Sequence, residues 1–354
     1  MPIVDLLACV NMQIHLLERL RCLSSGQTLR MEPVAQSGAS ASVAAREFRE
    51  GWLVSADGHH RYPVRSGIPR FVPLSNYADS FGFQWNHFAK TQLDSHTGHP
   101  ISANRFWKAT AWNPAALKDR WVLDVGCGSG RFTEIALGAG AHVVALDYSS
   151  AVDACWINLK HHPNLHVVQG DIYALPLKPE SFDFVYCLGV LQHTPDVARA
   201  FAALPPMLTG GGHLCVDYYE HTWWKAPLHP RFWLRPVTTR IDKRRLFALC
   251  EAWVPTLLSI SNTVDHVPMI GKVLRRMVPV ASYKDVLPLS ANQLQEWALL
   301  DTFDWLSPAH DNPQTAATVR CWLERAGLSK IEVLKSWHLV GRGVRSTANV
   351  HEYL

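Results

Sequence analysis

Val122-Leu-Asp-Val-Gly-Cys-Gly-Ser-Gly130 places an apolar strand directly before three glycines at alternate positions, and from Arg131 onward the pattern is helical. Glycines between a strand end and a helix start let the backbone turn tightly and approach a ligand, because no Cβ stands in the way. Dinucleotide-binding loops read G-x-G-x-x-G, with a third glycine where the helix packs and a pyrophosphate on the helix N-terminus. Here Arg131 holds that third position. Asp124, at the tip of the strand, would repel a phosphate but suits an ammonium group, so the loop favours a ligand with a cationic amino-acid end.

Outward from the loop, the next strand, His142–Leu146, runs into Asp147. A carboxylate about 20 residues after such a loop can accept both hydroxyls of a ribose. Gln169-Gly-Asp171-Ile172 repeats the arrangement one strand later, with Asp171 placed to take an adenine amino group and Ile172 to cover the ring. Strands are predicted at Trp121–Val125, His142–Leu146, Leu165–Gln169, Phe182–Cys187 and His213–Asp217, with helices at Arg131–Ala139, Ala151–His161 and Asp196–Leu208 between them. That alternation predicts an α/β fold, a parallel sheet with helices on both faces. A helix at Thr315–Ala326 and strands at Lys330–Ser336 and His338–Arg345 resume it after a long interruption.

Four segments together, DVGCGSGRF (124–132), the acid at Asp147, GDIYALPL (170–177) and FDFVYCLGVLQHTPD (182–196), resemble the successive motifs of class I S-adenosylmethionine-dependent methyltransferases, over about residues 75 to 220. The resemblance implies a Rossmann-like seven-stranded sheet whose last strand is antiparallel, and S-adenosyl-L-methionine as cofactor. It implies that Asp124, Gly126 and Gly128, in a loop that also contains Cys127 and Gly130, hold the aminoacyl end. Asp147 would hold the ribose and Asp171 with Ile172 the adenine, and the Leu188-Gly189 backbone would line the floor. Tyr148, Phe81 and Trp85 either cap the cofactor or belong to the core. Phe83–His87 and Thr91–Asp94 resemble the helical lid of the ubiquinone-biosynthesis-like subgroup, in which Gln84 touches the cofactor carboxylate or faces solvent. Leu20–Cys22 through Tyr62–Phe71 resembles a zinc-ribbon-like N-terminal module. That pattern needs two C-x-x-C pairs; only Cys22 is present, with Ser25 and the 55–58 region where other ligands would stand, so no structural metal is expected.

The remainder bears on the acceptor. His193, after the fourth strand, is expected at the ligand edge, as a general base or as a residue that shapes the pocket. Residues 220–313 interrupt the α/β pattern with Trp, Pro, Arg and Leu, and read as helical in Arg244–Trp253 and Ile270–Val278. A long apolar insertion in a compact domain points to function. Within it, Asp301 to Asp311 reads as a loop whose Asp304, Trp305 and His310 recognise the acceptor, or as a turn with Asp311 capping the next helix. Arg231, Arg235, Arg240, Lys243, Arg244 and Arg245 would bind an acidic or amphiphilic acceptor, or form a solvated helix face. The expected division is 1–73, a degenerate zinc-ribbon-like module with an irregular stretch at 24–45; 74–219, the cofactor core with its lid helices; 220–313, the helical insertion; and 314–354, the rest of the core.

The chain has 354 residues, 48% hydrophobic and 18% charged, with a formal charge of +4 and no long basic run, so no nucleic-acid footprint is legible. Eight cysteines without a C-x-x-C pair fit a reducing cytoplasm. Charged residues interrupt Met1 to Leu23, and no stretch reaches about 18 apolar residues, so neither a leader nor a membrane span is expected. A small-molecule methyltransferase is the leading reading. A non-catalytic cofactor-binding partner would tolerate damaged motifs, and a macromolecular methyltransferase acting on RNA or protein lacks a basic aromatic platform here. The identity of the acceptor and the oligomeric state stay open.

Overall fold

In the computed structural model the described residues are 14–33, 50–73, 78–221 and 230–347. The chain begins with a short helix, α1 (Ile14–Leu17), and a four-stranded antiparallel sheet of β1 (Leu29–Pro33), β2 (Gly51–Ser55), β3 (Arg61–Arg65) and β4 (Ile68–Pro69) in that order. Ser66 and Gly67, both at positive φ, make the two-residue turn between β3 and β4, which matches the twist of an antiparallel hairpin. β1 corrects the sequence reading, which placed its residues in an irregular stretch. It is a half-exposed five-residue strand, and pairing with β2 makes it one. Part of the Met1–Leu23 stretch (1–13) and part of the irregular stretch (34–45) lie outside the described residues.

The apolar side chains of this small sheet merge with the main core. Leu16, Leu20, Cys22, Leu53 and Val64 share one buried cluster with Leu123, Val144 and Val168. Arg70 follows β4, bridges to Gln169 in parallel register, and donates to Gln169 Oε1 (2.9 Å) and Asp153 Oδ1 (2.6 Å). The Arg19 guanidinium lies 3.3 Å from the ring centroid of Trp121.

Three helices precede the main sheet: α2 (Asp79–His87), α3 (Asp94–Thr97) and α4 (Ile101–Thr110). Then follow β5 (Trp121–Val125), α5 (Thr133–Gly138), β6 (His142–Asp147), α6 (Ala151–Leu159), β7 (Leu165–Gln169), β8 (Phe182–Cys187), α7 (Val197–Ala202) and β9 (Leu208–Tyr218). The strands carry apolar residues at almost every position because both faces are covered. Leu123, Val125, Val144 and Leu146 enter one core cluster, while Val122, Val143 and Ala145 enter the other. Asp196 caps α7, accepting from the Arg199 amide, and the helix stops before Pro205, shorter than the expected 196–208.

The insertion holds α8 (Pro230–Thr238), α9 (Lys243–Val264), α10 (Gly271–Met277) and α11 (Ala291–Leu306). The helix expected at Arg244–Trp253 continues to Val264 despite Pro255, because its buried stripe, Leu246, Cys250, Val254 and Ser261, carries on past the proline. α12 (Ala316–Arg325), β10 (Leu328–Ser336) and β11 (His338–Arg345) complete the chain. Thr315 caps α12; Asp311, the alternative cap in the sequence reading, instead lies beside Arg235.

The seven-stranded sheet has the order β10-β11-β9-β8-β5-β6-β7. β5 to β9 pair in parallel, and β11 runs antiparallel to both β9 and β10, so this is a Rossmann-like α/β fold with the final strand reversed. The winding changes direction between β5 and β8, and at such a switch point ligands bind outside the carboxyl ends of the strands.

Candidate functional site

A cavity of about 510 Å³ lies at those carboxyl ends, and it is walled by both the sheet loops and the helical insertion. Small-molecule sites fall in the range of roughly 300–1,000 Å³. One wall is the loop after β5. The amides of Gly126 and Cys127 both donate to the Leu146 carbonyl, which ties the loop to the end of β6. Gly126 has φ +83°, and a Cβ there would meet the Val190 side chain at 2.4 Å. Gly130 has φ +97°, and its Cβ would meet Leu159 of α6 at 2.6 Å, so this third glycine packs a helix and is not in the cavity wall. Gly126, Cys127 and Gly128 do line it.

Asp147, at the end of β6, lines the cavity with most of its valences committed. Its Oδ2 accepts from the Gly128 amide (3.0 Å), and its Oδ1 accepts from the Ser149 amide (2.8 Å) and hydroxyl (2.7 Å). Burial raises its pKa above the usual carboxylate value, against those hydrogen bonds. Tyr148, Ile172 and Leu188 line the same end.

Besides Gly130, four expected residues stand elsewhere. Asp124 lies under the loop, 2% exposed, and its Oδ2 accepts from the Thr133 hydroxyl at 2.6 Å. It props the start of α5, where burial pushes its carboxyl up to about 7, and does not line the cavity. Asp171 is not a lining residue either; its Oδ1 accepts from the Tyr173 amide at 2.9 Å and makes a turn. Gln84 is fully buried and outside the lining, and its Nε2 donates to Asp304 Oδ1 at 3.3 Å. The His310 side chain also stays out of the lining. What His310 supplies is its carbonyl, 3.1 Å from His193 Nδ1.

His193 itself lines the cavity between the rings of Phe81 (5.3 Å) and Tyr219 (5.5 Å). A carbonyl can only accept, so Nδ1 carries the proton and Nε2 of the neutral ring is left as the acceptor. Asp304 and Trp305 line the insertion side on α11, and so does Asp301 one turn earlier. The stretch expected as a loop is thus helical through Leu306, because Leu300, Phe303 and Leu306 bury one face and leave Asp301 and Asp304 toward the cavity. Asp301 accepts from the Tyr283 hydroxyl, from Trp297 Nε1 (3.1 Å) and from Gln92 Nε2 (3.4 Å), and burial pushes it up to about 6.

The basic series divides. Arg231 lines the cavity. Arg235 donates to the carbonyls of Trp305 and Pro308 (3.0 Å each), and Lys243 Nζ donates to Ser307 O at 2.7 Å. These two cap the carboxyl end of α11 and stand outside the cavity lining.

Sequence reasoning missed Arg131 as a wall residue. Its guanidinium donates to Gln92 Oε1 (2.7 Å) and Ser102 Oγ (2.8 Å), and burial, with Arg105 next, brings its pKa down to about 9. It also missed Tyr219, Tyr283, Trp297 and His338, all in the lining. His338 was findable from topology: it begins the one reversed strand, so its amino end lies at the carboxyl edge of the others. Burial takes its pKa down to about 4.

In the N-terminal sheet, Cys22 Sγ lies 3.3 Å from the Tyr62 hydroxyl, and among the described residues no group of three or more His, Cys, Asp or Glu could hold a metal. Among the described residues no helix is long and apolar enough to cross a membrane.

Residues 123–216 match the family model described as a methyltransferase domain. A ubiquinone biosynthesis O-methyltransferase of Aromatoleum aromaticum is 34% identical over 104 residues, 28% of this chain and 44% of that protein. A tRNA U34 carboxymethyltransferase of Cellvibrio japonicus is 34% identical over 116 residues, 31% of this chain and 36% of that protein. The matched stretch thus spans less than half of either relative. A solved structure of a putative S-adenosyl-L-methionine-dependent methyltransferase from Methanococcus maripaludis aligns over 79% of this chain and 98% of its own, at 15% identity and a TM-score of 0.43. Residues 123–216, from within β5 to within β9, are thus similar to a methyltransferase domain, and they lie in the Rossmann-like sheet.

Proposed function

We propose that this protein is an S-adenosylmethionine-dependent methyltransferase that acts on a small-molecule acceptor. The observation that carries the reading is that one cavity joins the glycine loop, Asp147, Tyr148, Ile172 and Leu188 on the sheet side to His193, Asp304 and Trp305 on the other. The sheet side fits the cofactor. Asp147 is a carboxylate at the right strand end for the ribose, and Ile172 covers an adenine ring. Ser129 presents a buried hydroxyl with no hydrogen-bond partner among the described residues, at the place where the aminoacyl carboxylate would lie. Asp124 acts on this reading through the loop it supports.

When bound, the sulfonium supplies an already activated methyl group. The chain contributes position and exclusion of water. Phe81, Trp85, Trp305 and Tyr219 supply apolar and aromatic walls. His193, its tautomer set by the His310 carbonyl, takes the proton of a hydroxyl acceptor at Nε2. Residues 1–73, 74–219, 220–313 and 314–354 then serve as an N-terminal module, the cofactor core, the acceptor cap and the rest of the core, in a cytoplasmic protein. The quinone-biosynthesis relatives favour a phenolic or quinol-like acceptor and the subgroup named for them.

The test is calorimetric titration with S-adenosylmethionine and S-adenosylhomocysteine, followed by methyl-transfer assays with phenolic acceptors and with tRNA. Micromolar cofactor binding and turnover of a small phenol, lowered in kcat by His193→Ala with cofactor affinity kept, is the expected result. No cofactor binding by folded protein would sink the proposal, and turnover of tRNA alone would move it to the RNA class of the Cellvibrio relative.

A further inference from the structure

The helical insertion exposes apolar side chains in ordered stripes. On α9, Leu249, Trp253 and Ile260 are exposed at spacings of four and seven, which places them on one helix face beside the buried stripe. On α10 and the residue before it, Ile270, Val273 and Met277 repeat the pattern. Trp233 and Val237 do so on α8. Two of these are tryptophans with more than half their surface in solvent, Trp253 at 62% and Trp233 at 60%. Scattered exposed apolar residues need no explanation, but large ones aligned on three successive helices do.

The tip joining α9 to α10 is closely packed at its base. Arg275 pairs with Asp265 at 3.1 Å, and a Cβ on Gly271 would meet the Asp265 carbonyl at 2.5 Å. This close packing thrusts out Val267-Pro-Met-Ile270, with Met269 fully exposed and at φ +65°.

Charge says what this face meets. Residues 230–278 contain nine Lys and Arg against three Asp and Glu, in a chain whose formal charge is only +4, so the rest of the molecule is net acidic. Arg240, Arg244, Arg245, Lys272 and Arg276 are exposed, and none makes an ion pair among the described residues. Apolar stripes with aromatic residues beside unpaired cations are the composition of a helix lying in a bilayer interface, and excess positive charge selects anionic headgroups. We propose that the α8–α9–α10 face docks this protein on an anionic lipid bilayer, with the 267–270 tip entering the headgroup layer and α9, about 33 Å long, lying along the surface.

Vesicle flotation tests this without cofactor or acceptor, so its outcome is separate from the methyltransferase reading. Full-length protein is mixed with phosphatidylcholine vesicles with or without phosphatidylglycerol. The expected result is flotation with the anionic vesicles, weakened by salt, and weaker by about tenfold or more in Met269→Asp/Ile270→Asp and in Lys272→Glu/Arg276→Glu. These positions are exposed, so circular dichroism and melting should match the wild type. Absence of flotation by the wild type, or flotation indifferent to both variants, overturns the proposal. A dimer in light scattering that Met269→Asp/Ile270→Asp dissolves, with no vesicle binding, overturns it in favour of a second copy on the same face.

Discussion

Asp147→Asn isolates the proposed cofactor contact with the smallest change of shape. In the wild type three protein donors already sit on this carboxylate, from Gly128 and Ser149. The remaining lone pair, on Oδ2, would take a ribose hydroxyl, a bond to a charged acceptor contributing about 1.5–3 kcal/mol. The asparagine keeps one acceptor oxygen and turns an amide donor toward either the Gly128 amide or Ser149, where donor meets donor. One lost ribose bond together with a weakened loop contact amounts to about 3 kcal/mol, or on the order of a hundredfold in Kd. Calorimetry on wild type and variant, with both S-adenosylmethionine and S-adenosylhomocysteine, reads this directly. Loss should be alike for the two ligands, since the ribose is common to both. A folded variant that binds within about threefold of the wild type would falsify the assignment of Asp147 to the ribose.

Gly126→Ala drives a methyl group into Val190, itself a lining residue, from a backbone at φ +83°; we expect a loss of about 1–3 kcal/mol in stability and weaker cofactor binding, read by urea unfolding and calorimetry. Asp124, raised from 3.8 to about 7 by burial, keeps its proton in the folded chain where the unfolded chain releases it. Its contribution to stability is therefore full below about pH 4, is lost as pH rises toward 7, and is constant above; the whole change is about 4 kcal/mol. Asp124→Asn should flatten this, so wild type and variant compared by urea unfolding at pH 5 and pH 8 ought to diverge at the higher pH, and parallel behaviour would refute the burial argument. Arg235→Ala strands the carbonyls of Trp305 and Pro308, and should cost about 2–3 kcal/mol by thermal melt. Because α11 carries Asp304 and Trp305, kcat/KM should fall while S-adenosylmethionine affinity holds; unchanged turnover would detach the insertion from the acceptor.

The parallel strands were legible because burial on both faces leaves an unbroken apolar run, as in Val122-Leu123 and Val143-Val144-Ala145. The loop was legible because only glycine permits the φ of Gly126. What escaped was whatever depends on contacts between distant segments. Asp301 to Asp311 mixes acids, Ser and Pro like a loop. Yet Asp301 and Asp304, three apart, share a helix face opposite Phe303, and that spacing was the available signal. Gln84 was placed near the right site but its partner, Asp304, comes from a helix 220 positions later. Asp124 and Asp171 were expected to touch ligand because they stand at strand ends. Side-chain direction is set instead by the local donors, Thr133 and the Tyr173 amide.

The junction of Arg70 with Gln169 has a further consequence, for how copies of this chain stay apart. A border strand offers a row of unused amides and carbonyls to any similar strand that drifts past. At β7, whose five residues are all buried, the Phe71 amide takes the Gln169 carbonyl and the Arg70 side chain closes over it. The opposite border, β10, is guarded differently: Ser329, Lys330, Glu332 and Lys335 stand out into water, and a second strand could pair there only by bringing charge against charge. The small N-terminal sheet is thus a hem fastened at the Gln169 end of β7, on the side of the fabric that would otherwise fray into its neighbours.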